Sequence, residues 1–354
     1  MNYRLLPNVW RAGCAAAVVA ATCWSGSASA RDLTFTSWGG AYQDAESKAY
    51  LQPFTAATGT KIAEDSYTGE IAKIRSQVES GAITWDVVDV AGDALSIGCQ
   101  QGLFEKLDWS KIADKADFIP AAVQECAIGM SAGGVVLTYD QDKYPDGPKT
   151  WADMWDVKKW PGKRGLSFDP KLNLDMALLA DGVSKNDLYK VLATPEGVDR
   201  AFAKLDQLKP NIHWYKTEAE AVQNLASGEF TMAMEYYGRV FALNKSEKRN
   251  FAKVDTAGYL LELTNYAVLK GSPNLDSAYK LLAFAAQPKI QAGWTNYYPY
   301  GPANTKAYDL IAADVRAKLL SPTEAGGASV FVDEAFWAAN LEDLQKRFSA
   351  WAAK

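Results

Sequence analysis

The stretch WDVVDVAGD, residues 85–93, constrains the fold more than any other part of the chain. It is a continuous apolar run closed by Gly and Asp, the pattern of a strand buried on both faces of a parallel sheet. A parallel strand needs a crossover, and the preceding residues supply the units for one. DLTFTSW, residues 32–38, alternates Leu33, Phe35 and Ser37 with polar neighbours and reads as a half-buried strand. AYQDAESKAYLQPF (41–54) reads as a helix and TKIAEDSYT (60–68) as a second strand. GEIAKIRSQVESG (69–81) sets Ile71, Ile74 and Val78 on one helical face and stops at Gly81. Strand, helix, strand, helix, strand is an α/β order.

The second half repeats the style. GVVLTYD (134–140), EFTMAMEYYG (229–238) and YLLELTNYAVL (259–269) read as strands. Thr217 and Glu220 form a capping box that opens the helix AEAVQNLASG (219–228). LDSAYKLLAFAAQ (275–287) is helical, with Ala278, Leu281, Leu282 and Ala285 toward a core. There is no short repeat and no Pro/Ser-rich hinge. Two lobes joined by strands that cross between them, with a cleft at the crossing, are the expectation.

The first thirty residues are read apart from the fold. Arg4 and Arg11 precede the small apolar run AGCAAAVVAATCW, and SASA ahead of Arg31 supplies a signal-peptidase pattern, so cleavage is expected near Ala30. Neither Cys14 nor Cys23 sits in a good lipobox. Removing 1–30 leaves 324 residues, more than one hydrophobic core usually supports. The mature charge is about −7, because the leader carries two arginines and no acid. An acidic chain without a basic run argues against nucleic-acid and anionic-membrane partners. Cys99 and Cys126 remain, an even number in an oxidising compartment, and read as a disulfide, with two buried thiols as the alternative.

Catalytic signatures are absent. One histidine, His213, restricts any Ser-His-Asp arrangement to a single base and reads as a surface or packing residue. No G-x-S-x-G, P-loop, H-E-x-x-H or C-x-x-C is present. No cofactor and no metal is expected. Aromatics instead gather at strand ends and turns: Trp38 and Tyr42, Tyr67, Trp85, Tyr236 and Tyr237, and WTNYYPYGP at 294–302. Any one of them alone is better read as packing. Several beyond the carboxyl ends of parallel strands point to a ligand cleft, where aromatic walls attract amines.

LTFTSWGGAY, PFTAATGTKI, WDVVDVAGD, GLFEKLDWSKI, KTWADMWD, LKGSPNLDSAYKLLAF and YGPAN, in that order, resemble the periplasmic solute-binding subunits of ABC importers, nearest to the spermidine/putrescine-binding group. The resemblance implies the type II periplasmic-binding-protein fold. Each lobe would be a mostly parallel sheet flanked by helices, with hinge strands crossing between them. It divides the chain into a signal peptide at 1–30, one lobe at 31–137 with 264–304, and another at 138–263 with 305–354. It implies a monomer in the periplasm that hands a small molecule to permease subunits in the inner membrane. Carried over by position, Ser37, Trp38, Tyr42, Asp93, Ser131, Asp169, Tyr237 and Tyr298 fall on the family's cleft.

Two departures alter the expected cargo. The family's W-x-G-D stands here as Tyr236-Tyr237-Gly238-Arg239, and its W-x-D as Glu262-Leu263-Thr264. A guanidinium where the family has a carboxylate would repel a dication and pair bidentately with a carboxylate. The reading favours a zwitterion or amine-bearing organic acid, such as a γ-amino acid or an opine-like compound, over a true polyamine. An outward salt bridge is the other reading of Arg239. Ferric iron held by Tyr236 and Tyr237 is the alternative cargo, and a secreted hydrolase is the alternative of another class.

Overall fold

The computed structural model describes residues 1–2, 31–320 and 329–354. The leader with Cys14 and Cys23, expected at 1–30, therefore lies outside the described residues apart from Met1 and Asn2. Among the described residues no helix is long and apolar enough to cross a membrane.

Among the described residues eleven strands form one mixed sheet: β1 Leu33–Ser37, β2 Ile62–Ser66, β3 Val87–Val90, β4 Ala127–Asp140, β5 Lys163–Ser167, β6 Ile212–Tyr215, β7 Phe230–Tyr236, β8 Phe251–Lys253, β9 Leu260–Val268, β10 Gly301–Pro302 and β11 Val330–Phe331. The order along the sheet is β2-β1-β3-β9-β4-β7-β5-β6. The outer groups are parallel: β1 pairs with β2 and β3, and β5 pairs with β6 and β7. β9 and β4 run antiparallel to β3, to β7 and to each other, and stitch the two groups together. This is the α/β expectation with its crossing strands. All four residues of β3 are buried, whereas β2 pairs only with β1 and stands largely exposed at the edge.

Two large apolar clusters lie on either side of the crossing. Phe35, Leu281, Leu282 and Trp294 belong to one; Leu166, Leu205, Trp337 and Phe348 belong to the other. Each such side chain contributes about 1.5–3 kcal/mol on burial. Ala278, Leu281, Leu282 and Ala285 of the helix Leu275–Ala285 are fully buried, as the periodicity requires. Thr217 accepts from the Glu220 amide at 3.2 Å, while the Glu220 carboxylate accepts from the Lys216 amide rather than from Thr217 itself.

Three local expectations shift. The helix at 41–54 is two α-helical pieces, Gly40–Glu46 and Gln52–Thr58, around a π turn at Ser47–Leu51. The wide turn comes directly before Pro53, whose ring would crowd the carbonyl four residues back in an ordinary α-helix. The strand at 134–140 starts earlier, at Ala127. The strand at 229–238 stops at Tyr236, and Tyr237 opens the helix Tyr237–Glu247. That break separates the two tyrosines. Cys99 and Cys126 are bridged, tying the helix Gly92–Gln100 to the start of β4. His213 packs its ring 5.3 Å from Phe230.

Candidate functional site

A cavity of about 310 Å³ opens where β4 and β9 cross. Of the residues singled out in the sequence, Trp38, Tyr42, Tyr236, Arg239, Glu262 and Tyr298 line it. Trp38 follows β1 and stacks on Tyr67 at 5.4 Å between ring centres. Tyr42, one turn into the next helix, meets Tyr298 edge to face at 5.2 Å and bonds through its hydroxyl to Thr264 at 2.7 Å. Glycine makes room for the aromatic wall. A Cβ on Gly238 would lie 2.0 Å from the Tyr298 ring, and one on Gly133 would lie 2.3 Å from the Tyr300 ring. Only a hydrogen at these positions lets both rings reach the cavity.

Arg239 is half-buried in the first turn of the helix Tyr237–Glu247 and faces this space. Among the described residues no carboxylate lies within ion-pair distance of its guanidinium, so the outward salt bridge is not formed. Acids surround the cavity nonetheless. Burial and the negative charge of Glu218 hold the Glu235 carboxyl well above the usual range, while Arg239 pulls it down. Glu262 accepts from the Tyr236 hydroxyl at 2.6 Å and from Lys171 at 2.9 Å. Burial raises Glu262, but the Lys171 charge outweighs it and leaves the group below the ordinary value.

The other expected residues stand behind or beside the wall. Ser37 is fully buried and donates to Glu46, because the strand alternation turns its side chain inward. Ser131 is also buried and donates to Thr264 at 3.2 Å, so it supports a lining hydroxyl without lining the cavity. Asp93 lies 3.8 Å from Lys171, in a cluster that includes Glu334 at 2.8 Å. Asp169 accepts from the Lys171 amide at 2.8 Å and shapes the turn that aims that lysine. Tyr237 points away, with Lys253 5.6 Å from its ring. Tyr236 lines the cavity in its place, so the adjacent tyrosines do not converge as an iron site would require.

Sequence reasoning missed Asp89, Glu218, Thr264 and Tyr300 as lining residues, and took Tyr236 only as a strand-end aromatic and a ligand of the iron alternative. Asp89 was legible only as an acid interrupting a buried strand. Glu218 follows the Thr217 cap and reads as an ordinary first-turn acid, favourable at a helix N-terminus.

Residues 49–320 match the model of the family described as bacterial extracellular solute-binding protein. The chain is 43% identical over 328 residues to the gamma-aminobutyric acid-binding protein of Pseudomonas aeruginosa, covering 92% of each. Its structure is similar to an ABC transporter substrate-binding protein from Bradyrhizobium japonicum, with a TM-score of 0.84 and 38% identity over 90% of this chain and 99% of that one. It is also similar to the PBP MotA from A. tumefaciens B6 in complex with glucopine, with a TM-score of 0.81 and 32% identity over 91% and 99%.

Proposed function

The chain belongs to the bacterial extracellular solute-binding protein family, and on that premise we propose that it is the substrate-binding subunit of an ABC importer for a small amino-bearing carboxylic acid, γ-aminobutyrate first among them. One observation carries the choice of cargo. Arg239 faces an acid-lined cavity without an ion-pair partner among the described residues. A half-buried guanidinium of this kind favours a carboxylate, which it can hold through two parallel hydrogen bonds. The aromatic walls of Trp38, Tyr42 and Tyr298 suit the methylene chain and the ammonium of the same ligand. A volume of about 310 Å³ stands at the small end of ligand pockets, which favours a short amino acid over a long polyamine. The relative at 43% identity is named for gamma-aminobutyric acid, in keeping with this reading.

The protein works by capture and delivery, not turnover, as a periplasmic monomer that meets its permease and no nucleic acid. The lobes comprise 31–137 with 264–304 and 138–263 with 305–354. The burial of Leu320 in the first cluster and the Lys306–Asp117 ion pair support moving 305–320 to the first lobe. Hinge motion at β4 and β9 would then close the cavity on its ligand.

Calorimetric titration with γ-aminobutyrate, its amide and putrescine tests the cargo. The free acid is expected to bind at least about tenfold tighter than either, and Arg239→Ala to cost roughly 2–5 kcal/mol for the acid alone. Tight binding of putrescine with indifference to the amino acid would overturn the proposal.

A further inference from the structure

Asp89 is the most deeply buried acid lining the cavity, and among the described residues no cation pairs with it. It is 1% exposed, lies in the middle of the sheet on β3 and lines the cavity. Its Oδ2 has no hydrogen-bond partner. Each element packed on it brings an acid, a phenol or a neutral group. The first helix brings Tyr42 and Glu46, the loop after β1 brings Trp38, and the residue after β2 brings Tyr67. β9 brings Asn265 and Tyr266. Glu46 itself is fully buried and accepts from Ser37 and, at 2.7 Å, from Tyr266.

The contrast with the other acids is chemical. Glu262 already has Lys171, and Glu218, half-buried with an unpartnered Oε2 of its own, sits in the first turn of the helix Glu218–Ser227, where the helix dipole favours its charge. Among the described residues Asp89 and Glu46 have no cation, and a fully buried carboxylate without one is costly unless it takes up a proton.

We infer that Asp89, backed by Glu46, is the ammonium subsite of the cavity, and that a primary ammonium enters by displacing a proton from this carboxyl pair. The inference rests on the proposed amino-acid cargo and adds the residue that recognises its amine. One O–H bond of the pair breaks, the proton leaves to solvent, and the ligand ammonium takes its place as the compensating charge. Burial lifts the Asp89 carboxyl to about 7, against the hydrogen bonds of Tyr42, Glu46 and Trp38, so the exchange falls in an accessible pH range. With Arg239 across the crossing strands on the other side of the cavity, a zwitterion would present one end to each group of strands.

Calorimetry with γ-aminobutyrate between pH 5 and 8, in two buffers of different ionisation heat, tests this. The ligand stays zwitterionic in that window. Affinity is expected to rise about tenfold per pH unit up to about 7 and then level off, with close to one proton released per ligand at pH 6. Asp89→Asn should lose roughly 100-fold in affinity, flatten the pH profile, and shrink the preference for γ-aminobutyrate over butyrate. Glu46→Gln should keep amine preference but move the pH midpoint. A flat wild-type profile with no proton release overturns the inference even if Asp89→Asn does not fold. Undiminished amine preference in a folded Asp89→Asn protein overturns it as well. In both cases binding of the amino acid by wild type leaves the cargo proposal standing. Failure of wild type to bind any ω-amino acid removes both.

Discussion

The Lys171 ammonium lies 2.9 Å from a Glu262 carboxylate oxygen, so this cavity acid is matched from within the protein. The same ammonium reaches Glu334 at 2.8 Å and Asp93 at 3.8 Å, joining β9, the helix Gly92–Gln100 and the helix Glu334–Ala352. Two of these acids differ in how firmly they hold their charge. Glu262 keeps its own, while burial and the neighbouring Glu262 charge lift Glu334 to about 8.

Lys171→Met leaves these acids without a cation in a region where Lys171 itself is only 13% exposed. The loss is expected to be about 3–5 kcal/mol of unfolding free energy, the range for breaking one side of a buried pair. Adding Glu334→Gln should recover part of it. Urea denaturation reads both effects, and a single variant within about 0.5 kcal/mol of wild type contradicts the assignment.

The Cys99–Cys126 bridge closes a segment with a sequence separation of 27. In the chain-entropy account a loop of this size contributes about 3.5 kcal/mol. The doubly Ala-substituted protein should unfold at correspondingly lower denaturant, with ligand affinity changed much less because neither sulfur lines the cavity. Non-reducing peptide mapping of the wild type should recover the linked pair.

Asp175 is fully buried, accepting from the Leu172 amide at 3.0 Å and from the Tyr189 hydroxyl. Burial raises its carboxyl from 3.8 to about 6 despite those bonds. The folded state thus holds a proton that the unfolded state releases near 4. Its contribution is fully present below about 4 and is lost as pH rises to about 6, a total of about 3 kcal/mol. Asp175→Asn should remove about one proton from the pH slope of stability in that window. An unchanged slope between pH 4 and 6 rules this out.

Gly238→Ala puts a methyl where the Tyr298 ring already stands, 2.0 Å from its Cε1. Either the ring or the helix start must move, at about 1–3 kcal/mol. Since Arg239 is the next residue, ligand affinity should fall along with stability. A variant that melts and binds as wild type would show that the wall is not held as described. Gly228→Ala serves as a control, because that glycine has open space around it and only its positive φ to lose.

Much of the layered α/β order was legible because it rests on short-range rules. A valine-rich run closed by turn residues, such as 87–90, reads as an interior strand, Gly81 ends its helix at φ 69, and the spacing of Ala278, Leu281, Leu282 and Ala285 defines one helical face. Trp38, Tyr42, Arg239, Glu262 and Tyr298 were likewise legible as candidates through their places at strand ends and in the motifs of a resembled family, and all five line the cavity. Tertiary structure alone decided which polar groups are matched. Lys171 reaches Glu262 across 91 positions of sequence, and Glu46 reaches Tyr266 across 220. No local pattern encodes such distances. The same is true of Ser37 and Ser131, which adjoin lining residues but turn their hydroxyls inward to Glu46 and Thr264. A side chain's type follows from the sequence; whether its charge has a partner depends on what the fold brings beside it.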